Sequence, residues 1–252
     1  MSLYSKFCAL ALALLCATGA GAQVVSTSPT FPTLDDLVTI TYDATKGNAA
    51  LINAADTVYG HFGLVVGGPT STNWTRVQGN WGRRDARTRM TLVSPNTWQI
   101  TFVPRIFFGN VGAAVTAYRI SMVFRNATGS IEGKTETNND IFTPLYQPGA
   151  LSMRFTLPET RITQIYFNQA QTLKAESSAP ATLTLTDNGA VLATVPNTTS
   201  LLYSYPATNL GNHSLVVTAD FGTATRADTV TFVVVGKPIT QALPPGLKDG
   251  PN

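Results

Sequence analysis

Apolar and polar side chains alternate at the first well-patterned stretch of the chain: Val38, Ile40 and Tyr42 with Thr39 and Thr41 between them. Period two is the pattern of a half-buried strand, because successive strand side chains point to opposite faces. Residues 43–48 (Asp-Ala-Thr-Lys-Gly-Asn) then supply turn chemistry. The pattern recurs. Residues 37–42 and 58–66 read as core strands. Trp98, Ile100 and Phe102 share a face after the turn Ser94-Pro95-Asn96, and Tyr118, Ile120, Met122 and Phe124 share the face of the next strand. No segment holds a helical period, so little helix is expected.

A break follows at residues 144–149 (Pro-Leu-Tyr-Gln-Pro-Gly), and the alternation restarts with Leu151, Met153 and Phe155. Leu183 and Leu185 continue it. Asp187-Asn188-Gly189 predicts a two-residue hairpin, because Asn-Gly tolerates the positive φ angles of a type I′ turn. Leu215, Val217 and Ala219 form another inward face, turned by Phe221-Gly222, and residues 229–235 close the set. Short strands separated by turn signals predict an all-β chain of two tandem immunoglobulin-like β-sandwiches. The expected boundaries are 23–146 for an N-terminal module, 147–236 for a second one, and 237–252 for a linker carrying Leu243-Pro244-Pro245-Gly246.

Residues 1–22 read as an export signal. Lys6 gives a positive start, residues 10–15 (Leu-Ala-Leu-Ala-Leu-Leu) an apolar centre, and Ala20-Gly21-Ala22 a small-residue cleavage site. The apolar run is too short for a membrane span. Both cysteines, Cys8 and Cys16, fall inside this signal, so the mature chain is expected to have neither disulfide nor thiol chemistry. Bacterial export fits that usage better than a disulfide-stapled secretory domain. The formal net charge is +3, and charged residues make up 12% of the chain. Arg83, Arg84, Arg87 and Arg89 cluster, but Asp85 interrupts them. A solvated loop is the expectation there, not a nucleic-acid surface.

Three segments carry a family resemblance: Phe31-Pro32-Thr33-Leu34-Asp35-Asp36 leading into residues 38–48; Val58-Tyr59-Gly60-His61-Phe62-Gly63 with Trp74 and Trp81-Gly82; and Phe124-Arg125-Asn126-Ala127-Thr128-Gly129 with Asp140-Ile141-Phe142. Residues 30–146 resemble the N-terminal, non-catalytic β-module of secreted bacterial α-amylase-family (glycoside hydrolase) proteins. In such proteins a second immunoglobulin-like module follows, and then a linker similar to residues 243–250. The resemblance implies carbohydrate metabolism in a Gram-negative bacterium, with export to the periplasm, cell surface or medium and modules that space the enzyme or bind α-glucan (starch). Two departures stand out: Ala49-Ala50-Leu51 where a glycine-rich run is expected, and Gly250-Pro251-Asn252 where an apolar residue should follow Asp-Gly.

The chain is not expected to be an enzyme by itself. An α-amylase barrel needs eight strand–helix units and a flanking pair of carboxylates, whereas the acids here are scattered through turns (Asp35, Asp36, Asp43, Asp187, Asp220). His61 and His213 are the only histidines, and no Gly-x-Ser-x-Gly accompanies them. Structural roles are expected for both, and neither a metal nor a cofactor is expected. Residues 136–140 (Glu-Thr-Asn-Asn-Asp) offer oxygen ligands but read as a plain turn. Four glycosylation sequons, beginning at Asn73, Asn126, Asn197 and Asn212, are chance matches in a threonine-rich chain.

The candidate carbohydrate-binding residues are Trp74, Trp81 and Arg83. A pyranose presents an apolar C–H face that packs on an indole, and a guanidinium can hydrogen-bond its hydroxyls. Trp98 is assigned to the core; Trp74 and Trp81 flank the polar stretch 75–80. The competing reading is two loop tryptophans folded back onto the sandwich. Tyr203 and Tyr205 share a strand face and could form a second platform. The alternative function is a free-standing cell-surface glycan-binding or adhesion protein.

Overall fold

The computed structural model describes residues 23–53 and 57–238. The expected export signal, its cysteines and linker residues 239–252 lie outside the described residues. The N-terminal half holds β1 (Val25–Ser28), β2 (Val38–Asp43), β3 (Tyr59–Val65), β4 (Thr75–Gln78), β5 (Thr91–Ser94), β6 (Thr97–Phe102), the one-turn helix α1 (Pro104–Phe107), β7 (Arg119–Arg125), β8 (Glu132–Gly133) and β9 (Ile141–Pro144). They form two sheets, one ordered β1-β2-β6-β5 and the other β4-β3-β7, with β8 and β9 sharing the far side of β7.

Alternation decides which face is inside. In the first sheet Val38, Ile40 and Tyr42 stand opposite Phe102, Ile100 and Trp98, and all but the partly buried Ile100 are buried. The outer face carries Thr39, Thr41, Gln99 and Thr101, joined by hydroxyl and amide hydrogen bonds of 2.9 Å. The second sheet contributes Phe62 and Leu64 from β3 and Ile120, Met122 and Phe124 from β7. Tyr42 stacks on Phe124 across the sandwich at 4.0 Å between ring centroids. Each such side chain contributes about 1.5–3 kcal/mol by leaving water.

The C-terminal half holds β10 (Met153–Leu157), β11 (Ile162–Tyr166), β12 (Ala170–Asp187), β13 (Ala190–Pro206), β14 (Gly211–Asp220) and β15 (Thr225–Val235). All six belong to one sheet, ordered β10-β12-β14-β15-β11, with β13 on β12. The sheet folds on itself. The first part of β12 pairs with β10 and its last part with β14, and the registers shift between Glu176 and Ala181. β10 thereby packs over β14 and β15, and Phe155, Leu173, Leu183, Val217 and Phe232 meet in a second core. Asn188 and Gly189 form the two-residue loop between β12 and β13, both at positive φ (48° and 87°) as the Asn-Gly pair predicts.

Between the two cores runs Tyr146, whose ring meets Phe31 edge-on at 5.2 Å. Thr30 donates to the Glu176 carboxylate, and Arg154 to the Gln23 side chain at 3.4 Å. Burial alone would raise the Glu176 pKa. Hydrogen bonds from Lys174 and Thr30 outweigh it and hold the carboxyl below its ordinary range.

Candidate functional site

The outer face of the β4-β3-β7 sheet is where the candidate residues gather. With Phe62 and Leu64 committed to the core, Tyr59, His61, Gly63 and Val65 face outward. Their partners on β7 are Arg125, Val123, Ser121 and Arg119. Residues 75–78 of the polar stretch between Trp74 and Trp81 form the edge strand β4, with a register shift where Arg76 takes a positive φ of 50°. β4 runs antiparallel to β3, so Trp74 enters over Gly63 and Trp81 leaves near His61. The His61 ring lies 5.7 Å from Trp74 and 5.1 Å, edge-on, from Trp81.

Gly63 lets Trp74 pack closely on the sheet: a Cβ there would sit 3.0 Å from Trp74 Cε3. Trp74 is half-buried and its indole N–H has no hydrogen-bond partner. Trp81 is 44% exposed. Its ring edge rests on the turn at Gly129, where a Cβ would fall 2.7 Å from Trp81 Nε1. Asn126 shapes that turn by accepting from the Ser130 and Ile131 N–H groups.

Beneath Trp81 lies Arg125, fully buried, with its guanidinium carbon 5.8 Å from the Trp81 ring centre and 5.3 Å from that of Tyr59. It donates to four carbonyls: Asn80 (2.6 Å), Arg83 (2.8 Å), Asn126 (3.0 Å) and Ala127 (3.3 Å). One side chain therefore ties the Trp81 turn to the turn beneath it. The carboxylate of Asp85 closes the same loop, accepting from the N–H groups of Asn80 and Arg87. Arg83 is exposed on this turn; its carbonyl, not its side chain, is what Arg125 holds.

His61 Nδ1 lies 2.8 Å from the Gly79 carbonyl, so Nδ1 carries the hydrogen and Nε2 keeps its lone pair. Burial lowers the His61 pKa; the Gly79 bond opposes this, Arg125 reinforces it, and Asp140 opposes it more weakly. The ring is neutral at pH 7. It sits on the outer face between two indoles rather than filling a polar gap inside the sandwich. His213 has the structural surroundings expected: 6% exposed, with Nδ1 2.7 Å from Asp187 and Nε2 3.0 Å from the Asn209 carbonyl.

The second tyrosine platform is not there. Tyr205 is buried and its hydroxyl donates to Asp187 at 2.9 Å, because alternation on β13 turns it into the second core. Trp98 is buried at 7% exposure, as its strand pattern predicts. Residues 136–140 form a turn closed by Thr135 and Asn139, and Asp140 lies 3.8 Å from Lys134. Among the described residues no group of three or more metal-ligating side chains converges, and no helix is long and apolar enough to cross a membrane.

A protein-family model described as a domain of unknown function (DUF8578) matches residues 25–133, less than half of the chain. No curated protein matches. Among solved structures, the fibronectin(III)-like modules of Clostridium thermocellum CbhA align at 23% identity over 32% of this chain and 94% of that one, with a TM-score of 0.27. The BSP domain of a biofilm-associated protein aligns at 14% identity over 85% of this chain, with a TM-score of 0.37. The N-terminal four immunoglobulin domains of Dscam1 isoform 8.4 align at 12% identity over 71%, with a TM-score of 0.25. This chain spans 30% and 38% of the length of those last two.

Proposed function

We propose that this chain is a non-catalytic, exported glycan-binding region, and that the outer face of the β4-β3-β7 sheet is where sugar docks. The observation that carries the reading is the exposed indole of Trp81, set beside His61 and Trp74 on a rigid sheet. An indole held this way offers a flat apolar surface to a pyranose C–H face, and it loses little conformational freedom on binding. His61 Nε2 adds an acceptor for a hydroxyl group. The resemblance to α-amylase-family modules makes α-glucan the first ligand to try. Contacts of this kind are weak, about millimolar to micromolar, or roughly −4 to −8 kcal/mol.

Affinity electrophoresis in soluble starch tests it. The parent protein is expected to be retarded, and Trp81→Ala and Trp74→Ala to run freely while circular dichroism shows them folded. Unchanged retardation in both variants moves the site elsewhere.

A surface adhesion protein is the second reading, and β13 favours it. That strand runs 17 residues at the edge of its sheet. It carries no charged side chain between Ala190 and Pro206, and it exposes Val191 and Leu202. Beyond Pro196, which interrupts the edge, the uncharged run from Thr198 to Tyr205 invites pairing with another strand. Sedimentation that shows a monomer at all concentrations would remove this reading.

A further inference from the structure

The charge around the aromatic face is unlike that of the rest of the chain. Residues 57–131 contain eight arginines, no lysine and a single carboxylate, Asp85, in a chain of formal net charge +3. That carboxylate is occupied by the N–H groups of Asn80 and Arg87. Arg105 is neutralised by Asp35 across the sandwich. Among the described residues, no ion pair involves Arg83, Arg119 or Arg125.

Their placement follows the strand register. Arg125 stands opposite Tyr59 at one end of the outward face of β3, and Arg119 opposite Val65 at the other. Six residue steps along β3 separate the two rows, about 20 Å. Arg119 donates to the Ser71 carbonyl, near the entry of Trp74, and lies 4.5 Å over the Phe142 ring; its Nε has no partner. Arg125 is fully buried with its Nε also unpartnered; four carbonyls and, at longer range, the Asp85 carboxylate answer its charge. A guanidinium shielded from water projects its field further than a solvated one. Arg83 adds a solvent-facing cation on the turn that carries Trp81. Asp140, the carboxylate in electrostatic reach of His61, is shared with Lys134.

We infer that the ligand of this face is an anionic polysaccharide, whose sugar rings pack on Trp81 and Trp74 and whose carboxylate or sulfate groups are drawn to Arg83 and Arg119. The inference rests on the glycan-binding reading above and gives it a substrate class other than neutral starch. A single-stranded nucleic acid fits less well, since stacking of successive bases calls for a row of exposed rings, and here only Trp81 is well exposed while Trp74 is half-buried.

The test is affinity electrophoresis of the mature chain in four gels: dextran, dextran sulfate, polygalacturonate and soluble starch. The first two share a backbone and isolate charge; the second and third separate sulfate from carboxylate. The expected result is stronger retardation by at least one acidic polymer than by dextran or starch. Trp81→Ala should abolish it and Arg83→Gln should weaken it several-fold, while Arg226→Gln, a control in the second module, leaves it unchanged. With two charges neutralised, binding should weaken roughly tenfold between about 50 and about 200 mM salt, by counterion release. Equal, salt-insensitive retardation by the neutral polymers overturns the anionic class and leaves glycan binding standing. Retardation by none of the four overturns both. Retention that survives Trp81→Ala, or is matched by single-stranded DNA, is charge attraction alone and also overturns the inference.

Discussion

Arg125 is the residue on which the site's architecture most depends. Replacing it by methionine keeps the stem packing and removes the guanidinium. Four buried or half-buried carbonyls then lose a charged donor, two on the Trp81 turn and two on the turn below. Each such loss costs about 1–3 kcal/mol. Against that, the variant no longer has to desolvate a charge, and water can reach the turn carbonyls, so the net cost should be about 3–5 kcal/mol. For a module of this size that is roughly 10–20 °C in midpoint. All three tryptophans, Trp74, Trp81 and Trp98, lie in the first module, so indole fluorescence reports its unfolding alone. The assay is thermal and urea unfolding followed by that signal, with acrylamide quenching in the native baseline. Arg125→Met should lower the midpoint and raise quenching. Arg125→Lys should recover only part, since one ammonium cannot span both turns as the planar guanidinium does. A shift under about 1 kcal/mol with unchanged quenching would refute the argument that Arg125 holds the Trp81 turn.

Gly63→Val should push Trp74 off the sheet and abolish glycan retention, at an overpacking cost of about 1–3 kcal/mol; unchanged retention would show that the contact between Gly63 and Trp74 does not matter for binding. Because the folded pKa of His61 lies below the ordinary imidazole value of about 6.5, the unfolded chain binds the proton first, and first-module stability should fall as pH drops from about 6.5 toward the folded pKa. His61→Asn should flatten that part of the profile, and a parent profile flat there contradicts the assignment. Tyr205→Phe removes a buried hydrogen bond to Asp187, whose other oxygen has no partner. It should cost the second module about 1–2 kcal/mol, read by circular dichroism, while the tryptophan transition stays put.

Period-two alternation makes the strands legible where one face is buried and the other wetter, as in β2 and β6. It gave less warning of β4, whose side chains at Arg76 and Val77 are both exposed, because an edge strand with little burial on either face writes no pattern. The Asn188-Gly189 turn was readable since its chemistry is local. The single folded sheet of the second module was not, since a register shift between Glu176 and Ala181 changes which partner β12 meets without changing its alternation. Trp74 and Trp81 were found by residue type. Arg125 was missed because burial of a charged side chain depends on carbonyls contributed by residues 80 and 83, some 40 positions upstream.

The central claim is that sugar meets Trp81 and Trp74 on the outer face of the first module. Nitrogen-15 labelling gives each indole N–H its own resonance, and single Trp→Phe variants assign the three. Titration with maltoheptaose in one arm and an oligogalacturonate in the other should move the Trp81 and Trp74 signals with at least one sugar, while the buried Trp98 signal stays in place. No movement of either Trp74 or Trp81 in both arms would contradict the account.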